Sequence, residues 1–291
     1  MKKDAGRRLH NVSDTALWVA AYRAEESERA DALFDDPYAR SLAGRRGFDL
    51  LDAMPRGRKL SWPMVVRTAL LDRMVDERLA AGADLVLNLA AGLDARPYRM
   101  QLPSDLLWIE VDLPGMIEHK ETALAEERPV CRLERVALDL ADGAARRRLL
   151  AEVAARCASA LVITEGLLVY LDEADVTALA DELHAGGSYR WWSTDLASPG
   201  LLKFMNRSWG REVGEAGAPF RFAPEKGPAF FEEHRWRPLE VHNNFYAAAR
   251  LGRLPWFYAL LARLFRERTD WNPKRVWGGI CLFERAAPAV P

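Results

Sequence analysis

The sequence predicts an α/β fold built on a mostly parallel sheet, and three observations carry that expectation. Short apolar runs of strand length recur between residues 85 and 196. They are continuous and end on small or acidic residues, as strands buried on both faces do. Segments with helical apolar spacing lie between them, which is the pattern of strand–helix–strand units.

Before the first run, residues 1–81 read as helical. Asp14 caps a segment reaching about residue 28, with Ala16, Leu17, Ala20 and Ala21 as its apolar stripe. Residues 32–43 form a pair of turns broken at Asp36-Pro37, and residues 44–57 a loop. Pro63 opens a helix, where a proline costs no hydrogen bond, and Val66, Ala69, Leu70 and Met74 give it one buried face. Strands follow at 85–90, 107–111, 133–138, 160–164 and 189–196. Helices follow at 114–128 and 142–157, and a third begins after the cap Asp172, with Val176, Leu179 and Leu183 on one side. Between residues 199 and 238, five prolines and five glycines interrupt the regular alternation, so an irregular lid is expected there. Residues 277–283 read as a last strand.

The bulk composition narrows the function. The 291 residues are 49% hydrophobic and 29% charged, with a net charge of −1. No basic excess invites nucleic acid or an anionic membrane. Cys131, Cys157 and Cys281 stand far apart, without metal-ligand spacing, and their odd number argues against a disulfide framework. The basic N-terminus, which includes His10, leads into no apolar core of signal-peptide length. No apolar stretch is long enough to span a bilayer. A soluble, cytoplasmic monomer or homodimer is expected.

In open α/β sheets, ligands bind beyond the carboxyl ends of the strands. Ala90, Ala91 and Gly92 follow the first strand, Asp112 the second, Asp139 and Leu140 the third, and Glu165 and Gly166 the fourth. Small residues let the backbone approach a ligand closely. Asp112, 20 residues beyond Gly92, has the separation of a carboxylate that accepts from ribose hydroxyls. Each acid could instead cap the following helix, but four strand ends of this kind together indicate a nucleoside site. The glycine pattern of a pyrophosphate cradle is missing, because Ala90 stands at its first glycine. That counts against a nicotinamide-dependent oxidoreductase. A non-catalytic, cofactor-binding regulatory protein stays open as a second alternative.

Four stretches then make a resemblance specific. They are Ser13 to Leu17 with Ala32 to Ala39, Arg67 to Asp72, Leu89 to Arg96 leading into Tyr98-Arg99, and Thr164 to Leu171. The segment Glu110 to Pro114 fits as well. In this order they resemble the leucine carboxyl methyltransferase superfamily. The nearest likeness is its bacterial small-molecule branch of mycobacterial methyltransferases and the tetracenomycin polyketide O-methyltransferase. The resemblance implies a class I methyltransferase, a Rossmann-like, mostly parallel seven-stranded sheet with helices on both faces. It implies one domain: a helical N-terminal extension at 1–81, a cofactor-binding core at 82–196, a lid or substrate-binding insertion at 197–240, and completion of the sheet at 241–291. It also implies S-adenosyl-L-methionine as cofactor and methyl transfer to a carboxylate or hydroxyl of a small molecule. Arg67 would pair with the methionine carboxylate, and Ala90 and Gly92 would border the cofactor. Asp112 would hold the ribose, Asp139 and Leu140 would flank the adenine, and Glu165 would take the ammonium. The family has glycine where this chain has Ala90. The extra methyl is harmless provided the backbone there is not at positive φ.

A carboxylate acceptor is already ionised near neutrality and needs no base, whereas a hydroxyl benefits from one. None of the five histidines, His10, His119, His184, His234 and His242, carries a partner motif, and this slightly favours a carboxylate. Tyr170 is the candidate catalytic residue, with Tyr22, Arg23 and Trp192 as candidate substrate contacts. Seven tryptophans follow residue 190, which suggests an aromatic pocket for a flat acceptor, although most of them should fill the core.

Overall fold

A computed structural model describes residues 12–53, 58, 61–215, 219–264, 267 and 271–287. His10 and the basic N-terminus lie outside them, as does the side chain of Trp209. Three helices come first, α1 (Val12–Ser27), α2 (Ala39–Ala53) and α3 (Trp62–Ala80). Then β1 (Leu85–Leu89), α4 (Arg96–Arg99), β2 (Leu107–Asp112), α5 (Pro114–Ala123), β3 (Arg132–Ala137), α6 (Gly143–Ala154) and β4 (Ala160–Thr164) alternate. They continue into α7 (Glu173–Ala185), β5 (Tyr189–Ala197), α8 (Pro199–Glu215), β6 (Trp236–Asn243), α9 (Asn244–Arg250), α10 (Trp256–Leu264) and β7 (Gly278–Arg285).

The seven strands form one sheet in the order β3-β2-β1-β4-β5-β7-β6. β1 to β5 pair in parallel, and β7 runs antiparallel to both β5 and β6. The α/β class and the mostly parallel sheet are therefore as expected. The order turns back between β1 and β4, so their carboxyl ends diverge into a crevice.

Burial explains why the apolar runs are continuous. Every residue of β1 and β4 is buried. Leu87, Ile109 and Val162 face a core shared with Leu150 of α6 and Leu179 of α7. Val86, Trp108 and Leu161 face the opposite core, with Val66, Leu71 and Met74 of α3 and Ala247 of α9. Asp142 caps α6 by accepting from the N–H groups of Ala144 and Ala145, and Asp172 caps α7 by accepting from Asp175.

Three expectations about elements need correction. Residues 44–53 are helical rather than a loop: α2 continues beyond a kink at Gly44 (φ 55°). Arg46 on this stretch pairs with Asp14 at 2.7 Å, so Asp14 serves α1 as an ion-pair partner within its first turn. The helix after β2 stops at Ala123, short of residue 128. The region 199–238 is more regular than its prolines and glycines imply, for it carries α8, a 3-10 segment at Gly227–His234 and the start of β6. Among the described residues, no helix is long and apolar enough to cross a membrane.

Candidate active site

A cavity of about 950 Å³ opens at the carboxyl ends of β1, β2, β4 and β5. The loop after β1 floors it. Ala90 (φ 54°) and Gly92 (φ 50°) both lie in the left-handed region. The proviso on Ala90 therefore fails: an L residue there carries strain of about 1–2 kcal/mol. The Gly92 N–H donates to Asp112 Oδ2 at 2.6 Å, and the Leu113 N–H to Oδ1 at 2.7 Å. These bonds tie the β1 loop to the end of β2. Burial raises the Asp112 pKa, and the two N–H donors counter part of that rise.

The end of β4 supplies Glu165, which α3 and α4 clamp from two sides. Arg67 Nε lies 2.9 Å from its Oε1, and Arg96 Nη1 lies 3.0 Å from its Oε2. Burial alone would raise the Glu165 pKa, but the two guanidiniums outweigh burial and hold it below the usual value. Arg67 also reaches Asp195 Oδ2 at 3.3 Å, and the Gly166 N–H donates to Asp195 Oδ1 at 2.5 Å. Arg96 continues the chain of charges to Asp72 and Asp94, both at 2.7 Å. Arg99 joins Asp72 at 2.7 Å to Asp36 at 3.7 Å, and Asp36 meets Arg23 at 2.8 Å. Four guanidiniums and five carboxylates are thus linked around the cavity floor, leaving one carboxylate in excess. Asn88, near the end of β1, donates to Asp94 at 2.8 Å, while its buried Oδ1 has no partner.

One wall belongs to α1 rather than to the sheet: Thr15, Trp18, Tyr22 and Arg23 all line the cavity. The Tyr170 hydroxyl is hydrogen-bonded to Thr15. Burial raises the Tyr170 pKa, so the hydroxyl stays protonated near neutrality. Its ring stacks on Phe220 at 5.6 Å. Beyond Tyr170 the walls become aromatic, with Trp62, Phe222, Phe245, Trp271 and Trp277. Trp271 sits on Gly227, where an added Cβ would lie 2.4 Å from the indole.

Arg67, Ala90, Gly92, Asp112, Glu165, Tyr170, Tyr22 and Arg23 therefore share one cavity. Three expected contacts do not line it. Trp192 is fully buried within the sheet, donates from Nε1 to Thr164 Oγ1 at 2.8 Å, and packs on Phe231 and Trp236. Asp139 is exposed and accepts from the Ala141 N–H at 2.9 Å, closing its own turn. Leu140 packs against the core below α6, and its carbonyl accepts from Arg146. Arg23 lines the cavity, but its guanidinium is taken up by Asp36 and by the Leu93 carbonyl, at 2.8 and 2.5 Å, so it anchors the β1 loop rather than a substrate.

Asn88, Arg96 and Asp195 are the site residues that sequence reasoning missed. Asp195 stands where the strand-end rule points, but the apolar residues around it read as uninterrupted strand. Asn88 was concealed in the same way inside the first run.

Comparison with known proteins agrees with this architecture. The leucine carboxyl methyltransferase family model matches residues 16–184. A Streptomyces coelicolor protein, provisionally named an S-adenosyl-L-methionine-dependent methyltransferase, is 39% identical over 179 residues, covering 57% of this chain and 62% of that protein. The chain thus spans under two thirds of this relative's length. A Mycolicibacterium paratuberculosis protein with the same provisional name is 32% identical over 242 residues, 78% of each chain. Among solved structures, a Thermobifida fusca protein described as a methyltransferase superposes with a TM-score of 0.58 over 97% of this chain and 96% of that one, at 14% identity. A Streptomyces avermitilis protein gives a TM-score of 0.57 over 91% of this chain and 96% of its own, at 12% identity. The structural likeness is one of fold, and the sequence match supplies the relationship: this chain belongs to the leucine carboxyl methyltransferase family.

Proposed function

We propose that this protein is an S-adenosyl-L-methionine-dependent methyltransferase acting on an oxygen atom of a small molecule, such as a polyketide or another flat secondary metabolite. The observation that carries the reading is the charge-linked floor of the cavity, with one carboxylate in excess beside an unpaired Asn88 Oδ1. A buried network of that balance favours a ligand with net positive charge and an ammonium donor. The cofactor has both, together with a carboxylate that suits Arg67.

Asp112, held by backbone N–H groups, keeps lone pairs free for ribose hydroxyls. Gly92, without a side chain, lets the backbone lie against the cofactor. Leu113 and Met116 offer an apolar border for the adenine. Glu165 and Asn88 face the ammonium. When bound, the cofactor supplies an electrophilic methyl group on sulfur. The chain contributes alignment and exclusion of water: α1 closes one side, and the protonated Tyr170 orients by donating a hydrogen bond. The relatives' names and the family support the same assignment.

Calorimetry with S-adenosylmethionine, S-adenosylhomocysteine and NAD on the purified protein tests the reading. Both sulfur nucleosides should bind and NAD should not. Binding of NAD alone overturns it in favour of an oxidoreductase.

A further inference from the structure

We propose that α10 docks the protein on an anionic membrane surface, lying in the headgroup layer with the open end of the cavity beside it.

α10 is built inside out. Its small residues, Ala259 and Ala262, pack against the core between the sheet and α3. On the opposite side, Trp256, Phe257, Leu260 and Leu264 point to solvent. Trp256 is 80% exposed and Leu264 69%. None of the nine residues of the helix is buried. A helix that serves a core turns its large apolar side chains inward. Single apolar residues on a surface need no explanation, but a contiguous set on one short helix marks a face that something covers.

Charge identifies the cover. The whole chain carries −1, yet residues 244–277 hold seven Lys or Arg and two Asp or Glu, an excess of five. The balanced total conceals this local excess. Arg250 pairs with Glu267, and Arg253 turns inward to Glu26 and Asp31. Arg263 on α10 and Lys274 are exposed and make no ion pair among the described residues. Trp and Tyr beside Phe and Leu, flanked by cations, compose a helix that lies in a bilayer interface. Anionic headgroups supply the counter-charge. Nine residues are too few to cross the bilayer, so the helix rests on it.

Other covers fit the face poorly. A second copy meeting it by two-fold symmetry would set Arg263 and Lys274 against their own charge. The longest undescribed segment, residues 1–11, holds four Lys or Arg and, as apolar residues, only Met1, Ala5 and Leu9. It has too little apolar surface and the wrong charge.

The position of α10 gives docking a use. The Tyr258 ring lies 6.3 Å from that of Phe245, which lines the cavity. Glu267, just beyond α10, and the exposed Val276 line it too. A docked α10 therefore sets the aromatic end of the cavity at the lipid surface.

The test is flotation of the intact protein with vesicles of phosphatidylcholine alone and of phosphatidylcholine and phosphatidylglycerol in equal parts. The anionic vesicles should bind about 10-fold or more tightly than the neutral ones, as two exposed cations at the surface give. Raising salt from about 0.1 M to about 1 M, which shortens the screening length from about 10 Å to about 3 Å, should weaken that binding. Trp256→Ser combined with Leu260→Ser should weaken it about 10-fold or more, and Arg263→Glu about 10-fold. Melting temperatures should stay within a few degrees, because the substituted side chains are exposed. On the unmodified protein, vesicles with brominated acyl chains should quench tryptophan fluorescence. Trp256→Phe should remove most of that quenching while binding persists. Absence of binding to anionic vesicles, equal binding to neutral ones, absence of quenching, or undiminished binding by the two-residue variant overturns the proposal. A dimer that this variant loses, without vesicle binding by the unmodified protein, overturns it in favour of a second copy. If the variant does not fold, the quenching comparison still decides.

Discussion

Ala90→Gly should make the protein more stable, although it removes a methyl group and adds chain freedom. Ala90 sits at φ 54°, where the Cβ of an L residue crowds the following carbonyl. Relief of that strain returns about 1–2 kcal/mol. Against this, glycine leaves the unfolded chain freer, which costs about 0.4–1 kcal/mol. The net gain is about 0.5–1 kcal/mol, or roughly 1–3 °C in melting temperature for a chain of this size. Urea midpoints and calorimetric melting measure it directly. Ala91→Gly provides the control. Ala91 is not among the positive-φ positions, so there glycine brings the entropy cost without the relief and should lower stability. Equal losses for Ala90→Gly and Ala91→Gly would refute the argument, because the alanine at position 90 would then carry no strain worth relieving.

Arg67→Met should destabilise the fold by about 3 kcal/mol, since it leaves Asp195 without a guanidinium partner and Glu165 with Arg96 alone; adding Glu165→Gln should recover part of the urea midpoint. Asp112→Asn should weaken S-adenosylhomocysteine about 10-fold by calorimetry, with unchanged circular dichroism, because one backbone N–H would face an amide donor in place of an oxygen. Glu165 and Asp94 are held below the ordinary carboxylate pKa, so their contribution to stability is complete above about pH 5 and is lost as the pH falls through their folded values. Asp112, shifted upward, opposes this more weakly. Urea midpoints should fall on acidification from pH 5 to pH 3, and a rise would contradict the sign. Burial pushes the Cys131 thiol up to about 11, so at pH 8 half-buried Cys157 should react with iodoacetamide before it, as followed by mass spectrometry.

The strands were legible because burial on both faces leaves no reason for polar residues inside the runs. The same property hid the faces. Trp191 and Trp192 are both apolar and both buried, one in the core on each face of the sheet, and nothing in their order tells which face each takes or that neither reaches the cavity. Asp195 and Asn88 escaped notice for a related reason: each polar residue lies within an apolar run, and only the strand's geometry turns it toward the mouth. The second half of α2 was unreadable because its support is tertiary. Gly44 looks like a break, yet Arg46 reaches Asp14, and Gly47 lies so close to α1 that an added Cβ would be 2.5 Å from the Leu17 carbonyl oxygen. The strand-end rule predicted Asp112 and Glu165 in the cavity but failed at Asp139, where a local turn claimed the carboxylate.

The reversal of β7 has a consequence for how such a cavity can diversify. A parallel strand delivers only its outgoing loop to the binding face. Because β7 runs the other way, the segment that enters it, with Trp271 and Trp277, arrives on the same face as the segment that leaves β5. Two connections therefore meet over one end of the cavity, and neither must cross the sheet to get there. Loop closure is tolerant of length, at about 0.6 kcal/mol for each doubling. Insertions in these two connections can reshape the recess for a new guest while the strands, the charged floor and the Asp112 anchor keep their places.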